Sequence, residues 1–176
     1  MGTGTVHFTG TTAQASNGSA STQSFYNVTV NKASDTLTLA GSTTSLTLDA
    51  NMTLTAGHFN GGTATTINMT AGNWTNNGGT FVPGTSTALF SGTGDQNING
   101  TAAIQTFNNE TVDKRSSTLT VGGSTTSMTL NGNMLLSTGT LDKGTATNIY
   151  VGGDWTNNGG SFTYSTGSVT FNGTGN

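Results

Sequence analysis

A ten-residue segment, Gly72-Asn73-Trp74-Thr75-Asn76-Asn77-Gly78-Gly79-Thr80-Phe81, returns almost unchanged as Gly153-Asp154-Trp155-Thr156-Asn157-Asn158-Gly159-Gly160-Ser161-Phe162, and the two copies hold both tryptophans of the chain. They belong to a longer internal repeat. Residues 25–69 align with 107–151 at an offset of 82, with 25 identities in 45 positions. One residue is then lost, and 72–94 align with 153–175 at an offset of 81, with 13 identities in 23. A third fragment is visible in Thr5-Val6-His7-Phe8-Thr9-Gly10, Thr87-Ala88-Leu89-Phe90-Ser91-Gly92 and Ser168-Val169-Thr170-Phe171-Asn172-Gly173. The chain therefore divides into 1–82, 83–164 and a partial 165–176, read as one repetitive domain. A chain of this kind buries apolar surface by stacking each unit on the next. Starting and stopping at one phase is expected of a segment of a longer array, or of a filament subunit whose ends abut the next molecule.

Within a unit the apolar signal has period two and is short. Leu37 and Leu39 flank Thr38, Leu46 and Leu48 flank Thr47, Met52 and Leu54 flank Thr53, and Ile67 and Met69 flank Asn68. Each reads as a strand of three to five residues with one apolar and one polar face. Ala40-Gly41-Ser42, Ala56-Gly57, Gly61-Gly62, Ala71-Gly72 and Gly78-Gly79 punctuate them as turns. Thr, Asn and Gly are poor helix formers, and no 3.6-residue apolar pattern persists. Three such strands with their corners make a coil of about 20 to 22 residues, the size of one turn of a parallel β-helix. The expected fold is all-β, a parallel β-helix (β-solenoid) of about eight short coils, right-handed, with about four coils in each 82-residue unit.

Thr, Ser, Asn and Gly supply 104 of the 176 residues, and only 6% are charged. That leaves too few apolar residues for a wide core but enough for a thin stacked column. Four Lys plus Arg against seven Asp plus Glu cannot neutralise a run of phosphates, so nucleic acid is not an expected partner. No apolar run approaches the roughly 20 residues that span a bilayer, and no membrane insertion is expected. There is no cysteine, which removes disulfides and thiolate metal sites. Any export signal lies outside this chain.

Gly72 to Phe81, the Phe90-Ser91-Gly92-Thr93-Gly94 segment, and Phe25-Tyr26-Asn27-Val28-Thr29-Val30-Asn31-Lys32 resemble the repeats of large exported bacterial surface proteins, similar in style to filamentous-haemagglutinin and autotransporter-adhesin β-solenoids. The resemblance covers nearly the whole chain. It implies an extracellular or cell-surface stalk or fibre, with end-to-end self-association, and no particular ligand. Glu110 departs from the pattern by replacing Val28 at a position expected to point inward, which leaves the register near 107–113 open.

Trp74 and Trp155 are candidates for stacking on sugar rings of a glycan or other cell-surface ligand; the structural alternative is that each packs inward or at a corner because the coil is repeated. Thr-x-Thr pairs, Thr36 with Thr38 and Thr118 with Thr120 among them, resemble the faces of ice-binding proteins, although their spacing is irregular and outward Thr suits any soluble β-surface. Catalysis needs convergent groups. Asp35, Asp49, Asp95, Glu110, Asp113, Asp142 and Asp154 are scattered, and Asp35, Asp49 and Asp154 face neutral residues in the other copy, as do His7 and His58. No metal-ligand spacing is present. The expectation is a non-enzymatic chain without cofactor or metal. Asn-x-Ser/Thr sequons begin at Asn17, Asn27, Asn51, Asn68, Asn73, Asn99, Asn109 and Asn172, and matter only where the source N-glycosylates exported proteins.

Overall fold

The computed structural model describes residues 2–173. Its nineteen β-strands, with no helix among the described residues, pair in parallel throughout. Four of them, Asn27–Leu39, Met52–Asn60, Asn109–Val121 and Met134–Asp142, run through a corner and serve two faces each. The chain thus winds as a three-faced β-solenoid of about eight coils, with stacked residues about 22 apart in sequence.

The faces follow from the period-two pattern, because residues i and i+2 point the same way along a strand. On the first face Val6, Val28, Met52, Trp74, Ile98 and Val121 stand over one another, and Leu119 continues the face to Leu141 and Phe162. The third face stacks Gln23, Leu46, Ile67, Ala88, Glu110, Met134 and Trp155. The second stacks Leu37, Phe59 and Phe81, and then Gln105, Met128, Ile149 and Val169. The inward residues between Val28 and Val151 form one buried column, the core.

The unit is close to four coils but is not a whole number of them. Thr5–Thr9 lies on the first face, whereas its equivalent Thr87–Phe90 lies on the third and Ser168–Phe171 on the second. Eleven face positions, not twelve, separate equivalent strands, so each unit spans three and two-thirds coils and is turned by a third of a revolution from the last. The inside tolerates this because all three inner faces present the same kind of apolar surface. The outside is rearranged by it.

The second face has an interruption. Thr80–Val82 and Ile104–Phe107 are neighbours in successive coils but are not paired, so the strands fall into a sheet of 15 and a separate sheet of four. The break sits where the first unit meets the second. Corners are made chiefly by glycines, but Ala33 (φ 58°) and its equivalent Arg115 (φ 54°) take left-handed backbone in the two longest strands, where a side chain is tolerated because it points into solvent.

Gly62 shows how closely coils approach. Its φ is +52°, and an added Cβ would lie 1.8 Å from the Leu39 carbonyl oxygen of the coil above. Gly94 has open space around it. Gly62→Ala is expected to cost roughly 2–4 kcal/mol through left-handed strain and a backbone clash, and Gly94→Ala less than about 0.5 kcal/mol; urea unfolding of the two variants measures the difference.

Candidate functional site

Trp74 is 1% exposed. It points into the column because it occupies the same inward position as Met52 above it and Ile98 below. Its ring lies 4.8 Å from Phe81 and 5.2 Å from Phe107, edge to face. Phe81 is 5.9 Å from Phe107 and 5.3 Å from Phe59, and Phe90 is 6.4 Å from Phe107. Trp74 therefore offers no ring face to a sugar. The aromatic cluster fills the interior beside the interruption on the second face, where no backbone ladder joins the two units; each such ring pair adds about 0.5–1.5 kcal/mol beyond area burial. Asn76 and Gly78 make the following corner, with the Asn76 Oδ1 accepting from the Gly78 amide at 3.0 Å. Trp155 is half-buried, 5.0 Å from Phe162, and lies on the third face rather than the first. The two tryptophans do not share a face.

Nor do the threonine pairs. Thr36 and Thr38 are on the second face, above His58 and Asn60. Thr118 and Thr120 are on the first, above Thr140 and Asp142. The third-turn offset between units separates residues that are equivalent in sequence. Many other threonine hydroxyls are committed to backbone carbonyls of the preceding coil, as in Thr65 to Thr44 at 3.1 Å and Thr147 to Thr126 at 2.9 Å.

The carboxylates act locally. Asp35 caps Thr36, Asp95 caps Thr118 and Asp142 caps Gly144 through backbone amides, while Asp113 and Asp49 accept from the Thr138 and Thr70 hydroxyls. Among the described residues no three His, Asp or Glu side chains gather as a metal site. The asparagine before Trp74 belongs to a ladder: the Oδ1 of Asn27, Asn51 and Asn73 each accepts the backbone amide of the next coil, at Asn51, Asn73 and Asn97. Asn109 and Asn133 repeat it a third of a turn away. Four of the sequons, those at Asn27, Asn51, Asn73 and Asn109, thus belong to this ladder, and the side chains of two more, Asn68 and Asn99, accept from the Ser91 and Thr75 hydroxyls.

Two features were not anticipated. Lys32 and its equivalent Lys114 are wholly buried. The Lys114 ammonium donates to the Gly92 and Gly94 carbonyls at 2.8 and 2.6 Å and to the Gln96 amide oxygen at 2.5 Å; Lys32 makes the same set with Thr9, Thr12 and Gln14. Each lysine ties one coil to the corner above it. Burial lowers the Lys114 pKa to about 8, against the opposing pull of Asp95. The signal was in the sequence, since Lys and Gln both recur at a spacing of 82 in a chain with few charges.

Glu110 keeps the register of Val28: it pairs with Ala88 above and Met134 below and is 1% exposed. Neither carboxyl oxygen has a hydrogen-bond partner. Burial raises its pKa from 4.5 to about 8, so the core holds it as a neutral acid.

The last described coils leave an open apolar hollow of about 210 Å³ lined by Trp155, Phe162, Val169 and Phe171. Compared with protein families, curated proteins and solved structures, the chain finds no match in any of the three.

Between about pH 4.5 and 8 the unfolded chain has released the Glu110 proton and the folded chain retains it. Stability therefore falls as pH rises across that window, by an amount on the order of a few kcal/mol, and this fall ends near the folded pKa. Urea unfolding at the two limits should show the decline, and Glu110→Val should be more stable and lose it. In the lysine staple, Gln96→Leu leaves a buried ammonium short of an acceptor and should cost more, about 3–5 kcal/mol, than Lys114→Met, which removes the charge itself; denaturation midpoints rank the two.

Proposed function

We propose that this chain is a non-enzymatic structural repeat segment of an extracellular bacterial surface protein, adhesin or fibre, a stiff rod whose coils continue by end-to-end stacking. The observation that carries this reading is what the two units have in common in space. Lys32 and Lys114, Met52 and Met134, Leu54 and Leu136, and Ile67 and Ile149 occupy the same kind of inward position, while the third-turn offset sends their outward neighbours to different faces. A repeat selected to present a binding surface would bring equivalent outward residues to one side. A repeat selected to propagate a column need only preserve the inside.

The exported, cell-surface setting rests on the resemblance of the Gly-Asn-Trp-Thr-Asn-Asn-Gly-Gly and Phe-Ser-Gly-Thr-Gly segments to repeats of such proteins. The rod reading rests on the parallel ladder that joins each coil to the next, since the length of a solenoid scales with the number of its units.

Inserting one further 82-residue unit tests the rod. Three and two-thirds additional coils at ~4.8 Å each should lengthen the particle by about 18 Å, with an unchanged cross-section, in small-angle X-ray scattering. A particle that thickens instead, or a wild-type chain that is not elongated, overturns this reading.

A further inference from the structure

We infer that the end of the column at Trp155 and Phe162, where Val169 and Phe171 now border an open hollow, is a socket for a second copy of this chain, and that the group it receives is Phe25 of that copy. This rests on the reading of the chain as a stacking rod and names the joint. The internal junction between the two units is the template. There Trp74, Phe81 and Phe90 surround Phe107, with ring centroids 5.2, 5.9 and 6.4 Å from it. Advancing that set by 81 residues gives Trp155, Phe162 and Phe171, with Val169 in the place of Ala88. Trp155 and Phe162 already hold the geometry of the filled site: 5.0 Å and 67°, against 4.8 Å and 61° for Trp74 and Phe81. What is missing among the described residues is the counterpart of Phe107, and Phe171 is accordingly 61% exposed.

The plug is present in this same chain. Phe107 ends the strand Ile104–Phe107, whose equivalent is Thr22–Phe25, and both read x-Gln-(Ser/Thr)-Phe. Phe25 already stands against Phe8 at 6.4 Å and 82°, as Phe107 stands against Phe90 at 6.4 Å and 86°. Thr5–Thr9 and Ser168–Phe171 are themselves equivalents of Thr87–Phe90, which pairs on both sides, whereas each of them pairs on one side only: Thr5–Thr9 with 27–31 and Ser168–Phe171 with Asn148–Val151. One strand can therefore serve both copies. Beside Thr5–Thr9, Lys32 grips three acceptors, the Thr9 and Thr12 carbonyls and the Gln14 side chain, whereas beside Ser168–Phe171 Lys143 grips, among the described residues, the Thr166 carbonyl alone, so Thr5–Thr9 is the better held. It takes the place of Ser168–Phe171 beneath Asn148–Val151, its Phe8 replaces Phe171, and Phe25 enters the socket. The joint is head to tail and does not close on itself, so repetition gives a filament.

The two halves of the joint can be separated. Phe25→Ser keeps the socket and loses the plug; Trp155→Ser keeps the plug and loses the socket. By analytical ultracentrifugation the wild-type chain should associate with rising concentration, and each variant alone should stay at the monomer mass. An equimolar mixture of the two should reach twice that mass and stop, because it contains one usable joint. Circular dichroism of each variant checks that the β-fold is retained; Phe25→Leu and Trp155→Phe, which keep apolar bulk, should restore part of the association if the serine variants do not fold. Wild-type chain that is monomeric at every concentration, single variants that associate like wild type, or a mixture that stays monomeric overturns the socket. Any of these outcomes with an elongated wild-type particle in scattering leaves the rod standing, so the two readings fail separately.

Discussion

The parallel backbone ladder between coils is the constraint on which the rest of this structure depends. Away from the two ends and the interruption on the second face, each strand is hydrogen-bonded to the strand about 22 residues before it and to the one about 22 after it, so an inward side chain there must meet inward side chains of both neighbouring coils. A thin column results, in which Leu, Ile, Val, Met and Phe need only be apolar and of compatible size. Sequence variation between the units, such as Phe59 against Leu141 or Leu39 against Val121, is absorbed one rung at a time. Where the ladder lapses between Thr80–Val82 and Ile104–Phe107, the aromatic cluster around Trp74 takes over the interior, which is why the least variable segment of the repeat contains the bulkiest residue.

Polar groups inside such a column must be satisfied or neutral, and both solutions are present. The ammonium groups of Lys32 and Lys114 find three acceptors each at a corner, where carbonyls of a bend turn inward. Glu110 has none and keeps its proton. The asparagine ladder achieves at the surface what the lysines achieve inside: each side-chain oxygen accepts an amide from the next coil at a corner where the strand ladder is not yet engaged. Many polar side chains are thus bonded within the fold itself, from coil to coil.

The third-turn offset links the interior to what the surface can do. Because eleven face positions separate equivalents, a feature repeated in sequence appears on successive faces and returns to the same one only after three units. Thr36 with Thr38, and Thr118 with Thr120, are the same pair in sequence and a face apart in space. An array with this offset distributes any outward group around its axis, while its cross-section and its joint between units stay constant.

The sequence by itself determined the parallel solenoid, its coil size and the apolar inward residues such as Leu46, Leu48, Ile67 and Met69, since period-two apolarity and turn residues are local properties; it did not show that neighbouring short strands join through a corner, as in Asn27–Leu39. It also held the lysine staple as a recurrence at 82 residues. It could not decide which outward residues share a face, because that depends on the number of corners in a unit, and a corner passed inside Asn27–Leu39 without glycine is silent in the pattern. Nor could it decide whether Trp74 faces in or out. Only the stacked coils settle that, because the ring's place is fixed by Met52 above, Ile98 below and Phe107 of the next unit beside it.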